Sequence, residues 1–220
     1  RPALLLDDSF SGESSASKRA RIAASLEGHR ADAALVFAPD SVSWLLNVRG
    51  LDVPCLPVLQ AMALIWRDAS VDLIVDPQRM PPGWQAHCGA DVRLHTPQEA
   101  AALLAGQAGQ RVVADPHTAN AWSQHLLEQG GATLIAAPDP VLLPKACKNP
   151  VEVAGARQAH VRDAVAVVRF LAWLDAQLQH GQYHDEAGLA DQLLAFREDG
   201  EHFQGPSFDT ISAAGGNAAM

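Results

Sequence analysis

Two apolar runs, Met62-Ala-Leu-Ile-Trp66 and Val71-Asp-Leu-Ile-Val75, flank the polar tetrapeptide Arg67-Asp-Ala-Ser70. Runs of this length around a short polar loop predict a β-hairpin, which puts an antiparallel pair into whatever sheet the chain builds. The other apolar runs alternate with helical segments. A helix over about residues 15–29, with Ile22 and Leu26 four apart, precedes the run at 33–38. Asp40 and Ser41 are placed to cap a further helix through Trp44 and Leu46. A helix at 97–105 precedes Arg111-Val-Val-Ala114, and another at 118–129 precedes Thr133-Leu-Ile-Ala136. Crossovers of that length suit parallel pairing. The expectation is an α/β domain over residues 15–144, a mixed sheet flanked by helices. Residues 1–14 are polar and turn-rich and read as a linker.

The pattern changes at Lys145-Ala-Cys-Lys-Asn-Pro-Val-Glu152. Asn149 can cap a helix, Pro150 suits its first position, and Glu152 sits where a reciprocal cap belongs. Val161, Val165, Val168, Leu171, Leu174 and Leu178 then recur every three or four residues up to Gly181. Unbroken, that helix spans roughly 45 Å at 1.5 Å per residue. A second helix is expected from Asp185, followed by an alternating strand at 207–212 and a Gly-rich stretch at 213–217. Two helices and one strand do not close a domain, so residues 145–220 read as an unfinished second unit.

Composition narrows the partners. The 220 residues are 48% hydrophobic and 19% charged, an ordinary globular balance, with a net charge of −9. Phosphate binding needs a concentrated basic surface, so nucleic acid is not the expected partner. No apolar run approaches the roughly 20 residues that span a bilayer, and no membrane partner is expected. The opening Arg1-Pro-Ala-Leu-Leu-Leu meets Asp7 and Asp8 too soon for a secretory signal. Cys55, Cys88 and Cys147 are widely spaced with no C-x-x-C pair, and read as reduced thiols of a cytoplasmic protein.

No complete catalytic constellation is present; H-E-x-x-H, the P-loop and G-x-G-x-x-G are all missing. Around Ser207, Asp209 stands where a nucleophile elbow needs Gly, and a strand follows where an elbow leads into a helix. His180-Gly-Gln-Tyr-His-Asp-Glu186 mixes imidazole and carboxylate, a set suited to zinc or manganese. It also straddles two helices, where a solvated loop and an N-cap call for the same residue types, and this is the simpler reading. His117 and His125 read as surface or cap histidines, and His160 as an exposed or partly buried histidine of the long helix. More distinctive is the stretch from Asp40 to Asp52, in which an apolar helix ends at Asn47 and Arg49-Gly50-Leu51-Asp52 follows as a polar turn. Arg49 can offset the helix dipole while Gly50 makes the turn, or it can present its planar fork to a carboxylate. The residues alone leave both open.

Trp44-Leu-Leu-Asn-Val-Arg-Gly-Leu-Asp52 resembles the W-L-x-N-x-R-G-x-D stretch in the middle domain of three-domain Xaa-Pro aminopeptidases. Residues 145–152, Gly155-Ala-Arg-Gln-Ala-His160 with Arg162 and Asp163, Phe170-Leu-Ala-Trp-Leu-Asp175, and residues 205–219 resemble the opening of their catalytic domain. The likeness runs in order along almost the whole chain. It implies a creatinase N-terminal-like α/β domain followed by the first helices and strand of a truncated pita-bread catalytic domain. It also implies two divalent metal ions, manganese, in the intact parent, substrates with proline in the second position, and a homodimer. The five metal ligands of that family find no match in residues 1–220, so no metal or catalytic residue is carried over, and this chain alone is expected to be inactive. The substrate histidine of the family would follow the strand ending near residues 217–220. Arg49, Asp52, Phe208 and Asn217 are the candidates for the substrate-pocket side. The alternatives are a noncatalytic pita-bread-related module that binds peptides or proteins, and a hydrolase of the prolidase or creatinase type.

Overall fold

The computed structural model describes residues 2–218, in two compact units that divide between Glu152 and Val153. The first opens with β1 (Leu4–Leu5) and a single helical turn, α1 (Asp8–Ser11), followed by α2 (Ser15–Ser25), β2 (Ala33–Val36), α3 (Pro39–Leu46) and β3 (Val48–Arg49). Next come β4 (Met62–Trp66), β5 (Val71–Ile74), α4 (Trp84–Cys88), β6 (Val92–His95), α5 (Ala100–Ala105), β7 (Arg111–Ala114), α6 (Ala121–Gln129), β8 (Thr133–Ala136) and α7 (Leu142–Ala146). Helix α8 (Pro150–Gln179) begins in the first unit, and α9 (Glu186–Glu198) lies in the second.

Among the described residues the main sheet has six strands in the order β6-β5-β4-β2-β7-β8. The predicted hairpin β4–β5 is antiparallel, with Ala63 opposite Leu73 and Ile65 opposite Val71. β4 also pairs antiparallel with β2, whereas β5–β6, β2–β7 and β7–β8 are parallel. The sheet is therefore mixed, as the hairpin requires. Its central strand β2 is buried throughout because helices cover both faces, and successive side chains alternate between two cores. Ala34 and Val36 pack with Ile22, Leu26, Val42 and Leu45 on one face. Ala33 and Leu35 pack with Leu104 and Leu127 on the other.

Three expectations are corrected. Residues 1–14 do not behave as a linker: Ala3 is buried, β1 pairs with β3, and Asp7 caps α1 by accepting from the Ser9 amide at 2.8 Å. Helix α3 is not capped by Asp40 or Ser41; it starts one residue earlier at Pro39, whose fixed φ suits the first helical position, and Asp40 lies in the first turn. The strand expected at 207–212 is absent among the described residues, because alternation alone makes no strand without a partner to hydrogen-bond. Gly215–Ala218 is instead a short 3-10 turn; the remainder of the strand end expected at 217–220, Ala219 and Met220, lies outside the described residues.

The reciprocal cap at the start of α8 is formed as the sequence suggests. The Glu152 amide donates to Asn149 Oδ1, and the Asn149 amide donates to Glu152 Oε2, both at 2.9 Å. Within the second unit Asp185 caps α9 through the Gly188 amide at 2.7 Å. The two helices meet through Arg197–Asp163 and Arg169–Asp199 ion pairs, with Arg169 over the Phe196 ring at 4.7 Å. Val161, Val165, Val168, Leu171 and Leu178 remain exposed along α8. Among the described residues no helix is long and apolar enough to cross a membrane.

Candidate functional site

The distinctive stretch from Trp44 to Asp52 is built on the end of α3. Val42, Leu45 and Leu46 anchor that helix in the core, and it terminates at Asn47 with φ +52°, the left-handed conformation that Asn tolerates better than other non-glycine residues. The Asn47 side chain is bonded on both sides. Its Oδ1 accepts from Lys18 Nζ at 2.6 Å, and its Nδ2 donates to Asp8 Oδ1, Ser11 Oγ and the Glu13 carbonyl at 3.1, 3.0 and 2.8 Å. The Asn47 carbonyl accepts from the Leu6 amide at 2.8 Å and from His87 Nε2 at 3.0 Å, so that ring nitrogen carries the proton.

Lys18 is fully buried beneath this turn. Its ammonium also donates to the Trp44 carbonyl at 3.1 Å and lies 4.3 Å from the Trp44 ring centre. Burial pushes its pKa down to about 8, against the opposing pull of Glu152. On the other side of the turn, the Trp44 indole donates to Glu152 Oε1 at 3.3 Å. The tryptophan thus joins a buried cation to the carboxylate that caps α8.

Arg49 and Asp52 have partners of their own. Arg49 Nη1 donates to the Ser43 and Val48 carbonyls at 3.0 and 2.9 Å, and burial lowers its pKa despite the attraction of Glu152. Gly50 lets two backbones approach: a Cβ there would lie 2.7 Å from the Val58 carbonyl oxygen and 2.9 Å from Leu59 Cα. Asp52 is ion-paired with Arg79 and accepts from the Gln60 amide at 2.6 Å. Burial works to raise its pKa, but those two bonds outweigh it and hold the carboxyl below its ordinary range. The Arg49 bonds match the helix-end reading.

The other two candidates belong to the second unit. Asn217 Nδ2 donates to both Glu186 oxygens, at 3.1 and 3.2 Å. Phe208 is 68% exposed. It lines a cleft of about 690 Å³ with His160, Asp163, Arg197 and Phe203. In the His180–Glu186 region, His180 Nδ1 donates to the Ala176 carbonyl, His184 packs on Trp173 with ring centres 4.8 Å apart, and Asp185 is the cap of α9. No group of three or more His, Cys, Asp or Glu able to hold a metal ion occurs among the described residues.

Of the three buried acids among the described residues, Asp72, Asp115 and Asp139, two carry shifted pKa values and are not among the sequence candidates. Asp72 accepts from the Trp66 indole at 2.6 Å, Arg93 at 2.7 and 2.9 Å, and His95 at 2.8 Å. Burial would raise its pKa, but these partners prevail and lower it. Its signal was an acid inside an otherwise apolar strand. Asp139 caps a turn by accepting from the Val141 amide at 2.8 Å, and burial raises its pKa. No local periodicity marks it.

The first unit is thus an α/β domain, a mixed sheet with helices on both faces and a Trp-Asn-Arg-Gly turn over a buried lysine. The family model for the Creatinase/Prolidase N-terminal domain matches residues 1–152, and the chain belongs to that family. Probable Xaa-Pro aminopeptidase P of Tuber melanosporum is 31% identical, with 100% of this chain aligned to 38% of that protein. Its counterpart from Laccaria bicolor is 34% identical over 98% of this chain and 34% of its own length. The crystal structure of X-prolyl aminopeptidase from Caenorhabditis elegans, described as a cytosolic enzyme with a di-nuclear active site, matches with a TM-score of 0.87. That match has 27% identity and covers 97% of this chain and 35% of that one. The chain spans little more than a third of the length of these relatives.

Proposed function

We propose that the protein containing this chain is an Xaa-Pro aminopeptidase, which hydrolyses the peptide bond before a proline in the second position. The observation that carries this reading is the reach of the likeness. Identity of 31–34% to proteins of that name extends through both units rather than stopping at the family domain of residues 1–152. On this reading residues 1–144 belong to a noncatalytic middle domain, and residues 145–220 are the opening of a pita-bread catalytic domain. The intact protein would use two divalent ions, manganese, acting as Lewis acids on the scissile carbonyl and on water. The described residues do not fit such a centre, since none of their His, Cys, Asp and Glu side chains cluster for it, and no step is assigned to them. The 220-residue chain by itself is proposed to be inert. The intact enzyme is proposed to be a cytoplasmic homodimer. Of the pocket candidates, Phe208 keeps that proposed role with its ring exposed, while Arg49, Asp52 and Asn217 are assigned structural ones.

The test follows release of the first residue from an Xaa-Pro-Pro peptide, with manganese and with chelator, against a peptide with Ala second. The longer protein should cleave only the proline peptide and only with metal, and residues 1–220 should cleave neither. Proline-independent cleavage, or none by the longer protein under any metal, would overturn the assignment.

A further inference from the structure

The N-terminal segment and the start of α8 are far apart in sequence, yet they share one side chain. Asn149 Oδ1 caps α8 by accepting from the Glu152 amide at 2.9 Å, while its Nδ2 donates to the Ser11 carbonyl at 2.7 Å. Ser11 is held from the opposite side by Asn47, whose Nδ2 donates to Ser11 Oγ at 3.0 Å. The turn is therefore clasped between the asparagine that ends α3 and the asparagine that begins α8. Gly12, at φ +70°, is wedged into the same place; a Cβ on it would lie 2.5 Å from Asn149 Oδ1 and 2.7 Å from Val151 Cβ. A third contact closes the circuit, because Glu152 accepts from the indole of Trp44 on α3.

We propose that the Ser11–Gly12 turn is a coupling element, through which displacement of the N-terminal segment uncaps α8 and uncapping α8 frees the N-terminal segment. A single amide cannot cap the helix and hold the turn unless both are in place, so each contact stabilises the other. Such coupling is reciprocal by thermodynamic necessity. The residues able to transmit it form one hydrogen-bonded chain, from Asp8 and Ser11 through Asn47, and from Ser11 through Asn149 to Glu152 and Trp44.

Amide hydrogen exchange on the full chain tests this, with Phe10 and Gly12 reporting on the turn and Glu152 on the cap. Both turn amides bond to backbone carbonyls in α1's turn, and the Glu152 amide bonds to Asn149. Ala3→Glu puts a charge into a buried position next to β1, far from Asn149 in sequence, and displaces β1. It should speed exchange at Phe10, Gly12 and Glu152 together, by about tenfold, the effect of losing one helix cap. Glu152→Ala, made at the other end, should speed exchange at Phe10 and Gly12. Asn149→Asp keeps an acceptor for the Glu152 amide and removes the donor to Ser11; in that background Ala3→Glu should speed Glu152 less, because only the route through Asn47 and Trp44 remains. The proposal is overturned if either single variant affects only its own end, or if Ala3→Glu acts equally on Glu152 with and without Asn149→Asp.

Discussion

Replacing Asn47 with Ala should be among the most damaging single changes in the first unit, although it removes few atoms. Lys18 would lose its 2.6 Å acceptor and keep only the Trp44 carbonyl and ring. A hydrogen bond to a buried charge contributes about 1.5–3 kcal/mol. The Nδ2 bonds to Asp8, Ser11 and Glu13 would go as well, a further loss of about 1 kcal/mol given that solvent can reach part of that turn. Holding Ala at φ +52° adds about 1 kcal/mol. The sum is about 3.5–5 kcal/mol, or a fall of about 2 M in urea midpoint if m is about 2 kcal/mol/M. Asn47→Gly loses the same bonds without the backbone strain, and should be about 1 kcal/mol milder. Urea unfolding of both variants, with equal m values, decides the matter. A loss below about 1 kcal/mol for Ala, or no gap between Ala and Gly, would refute the assignment of Asn47 as the hub of this turn.

Three further outcomes are expected. Because the folded pKa of Lys18 lies near 8 and the unfolded one near 10.5, the folded state holds fewer protons between those values. Stability should rise with pH across that window and be flat below it, and urea midpoints of Lys18→Met should lack this rise. Asp72→Asn removes the carboxylate shared by Trp66, Arg93 and His95, and should cost about 2 kcal/mol at pH 7 in thermal or urea unfolding. Its contribution is present above the ordinary carboxyl pKa and is lost as pH falls through the lowered folded value, so wild type and variant should converge in strong acid. The exposed valines and leucines along α8 should drive association, seen as a sedimentation coefficient that rises with concentration and falls back with Val168→Lys. A cleanly monomeric wild-type chain over a wide concentration range would contradict that.

Much of the architecture follows from local pattern. The hairpin at Met62–Trp66 and Val71–Ile74 is marked by two apolar runs around four polar residues, and α8 by Asn149, Pro150 and Glu152 at its start. Strand β6 shows no apolar run because Arg93 and His95 fill alternate positions; they face Asp72 on the neighbouring strand, a pairing no window along the chain can reveal. Residues 1–14 look like a linker for the same reason. Their order comes from Asn47 and Asn149, both distant in sequence, and not from propensity. The error at 207–212 runs the other way, since alternation there promised a strand and no partner strand is present. At the candidate site, the chemistry of Arg49 and Asp52 was readable while their engagement was not. A free arginine fork and one tied to the Ser43 and Val48 carbonyls have the same sequence.

The sheet's order also sets a timetable for synthesis. Strand β2, at its centre, pairs on one side with β4 and on the other with β7, which is made much later. A chain still growing through β4, β5 and β6 therefore carries an unpaired, wholly apolar edge at Ala33–Val36, the kind of edge that recruits other chains. Ribosome-bound chains arrested before Arg111 should depend on chaperones to stay dispersed, and those arrested once β8 has emerged should not.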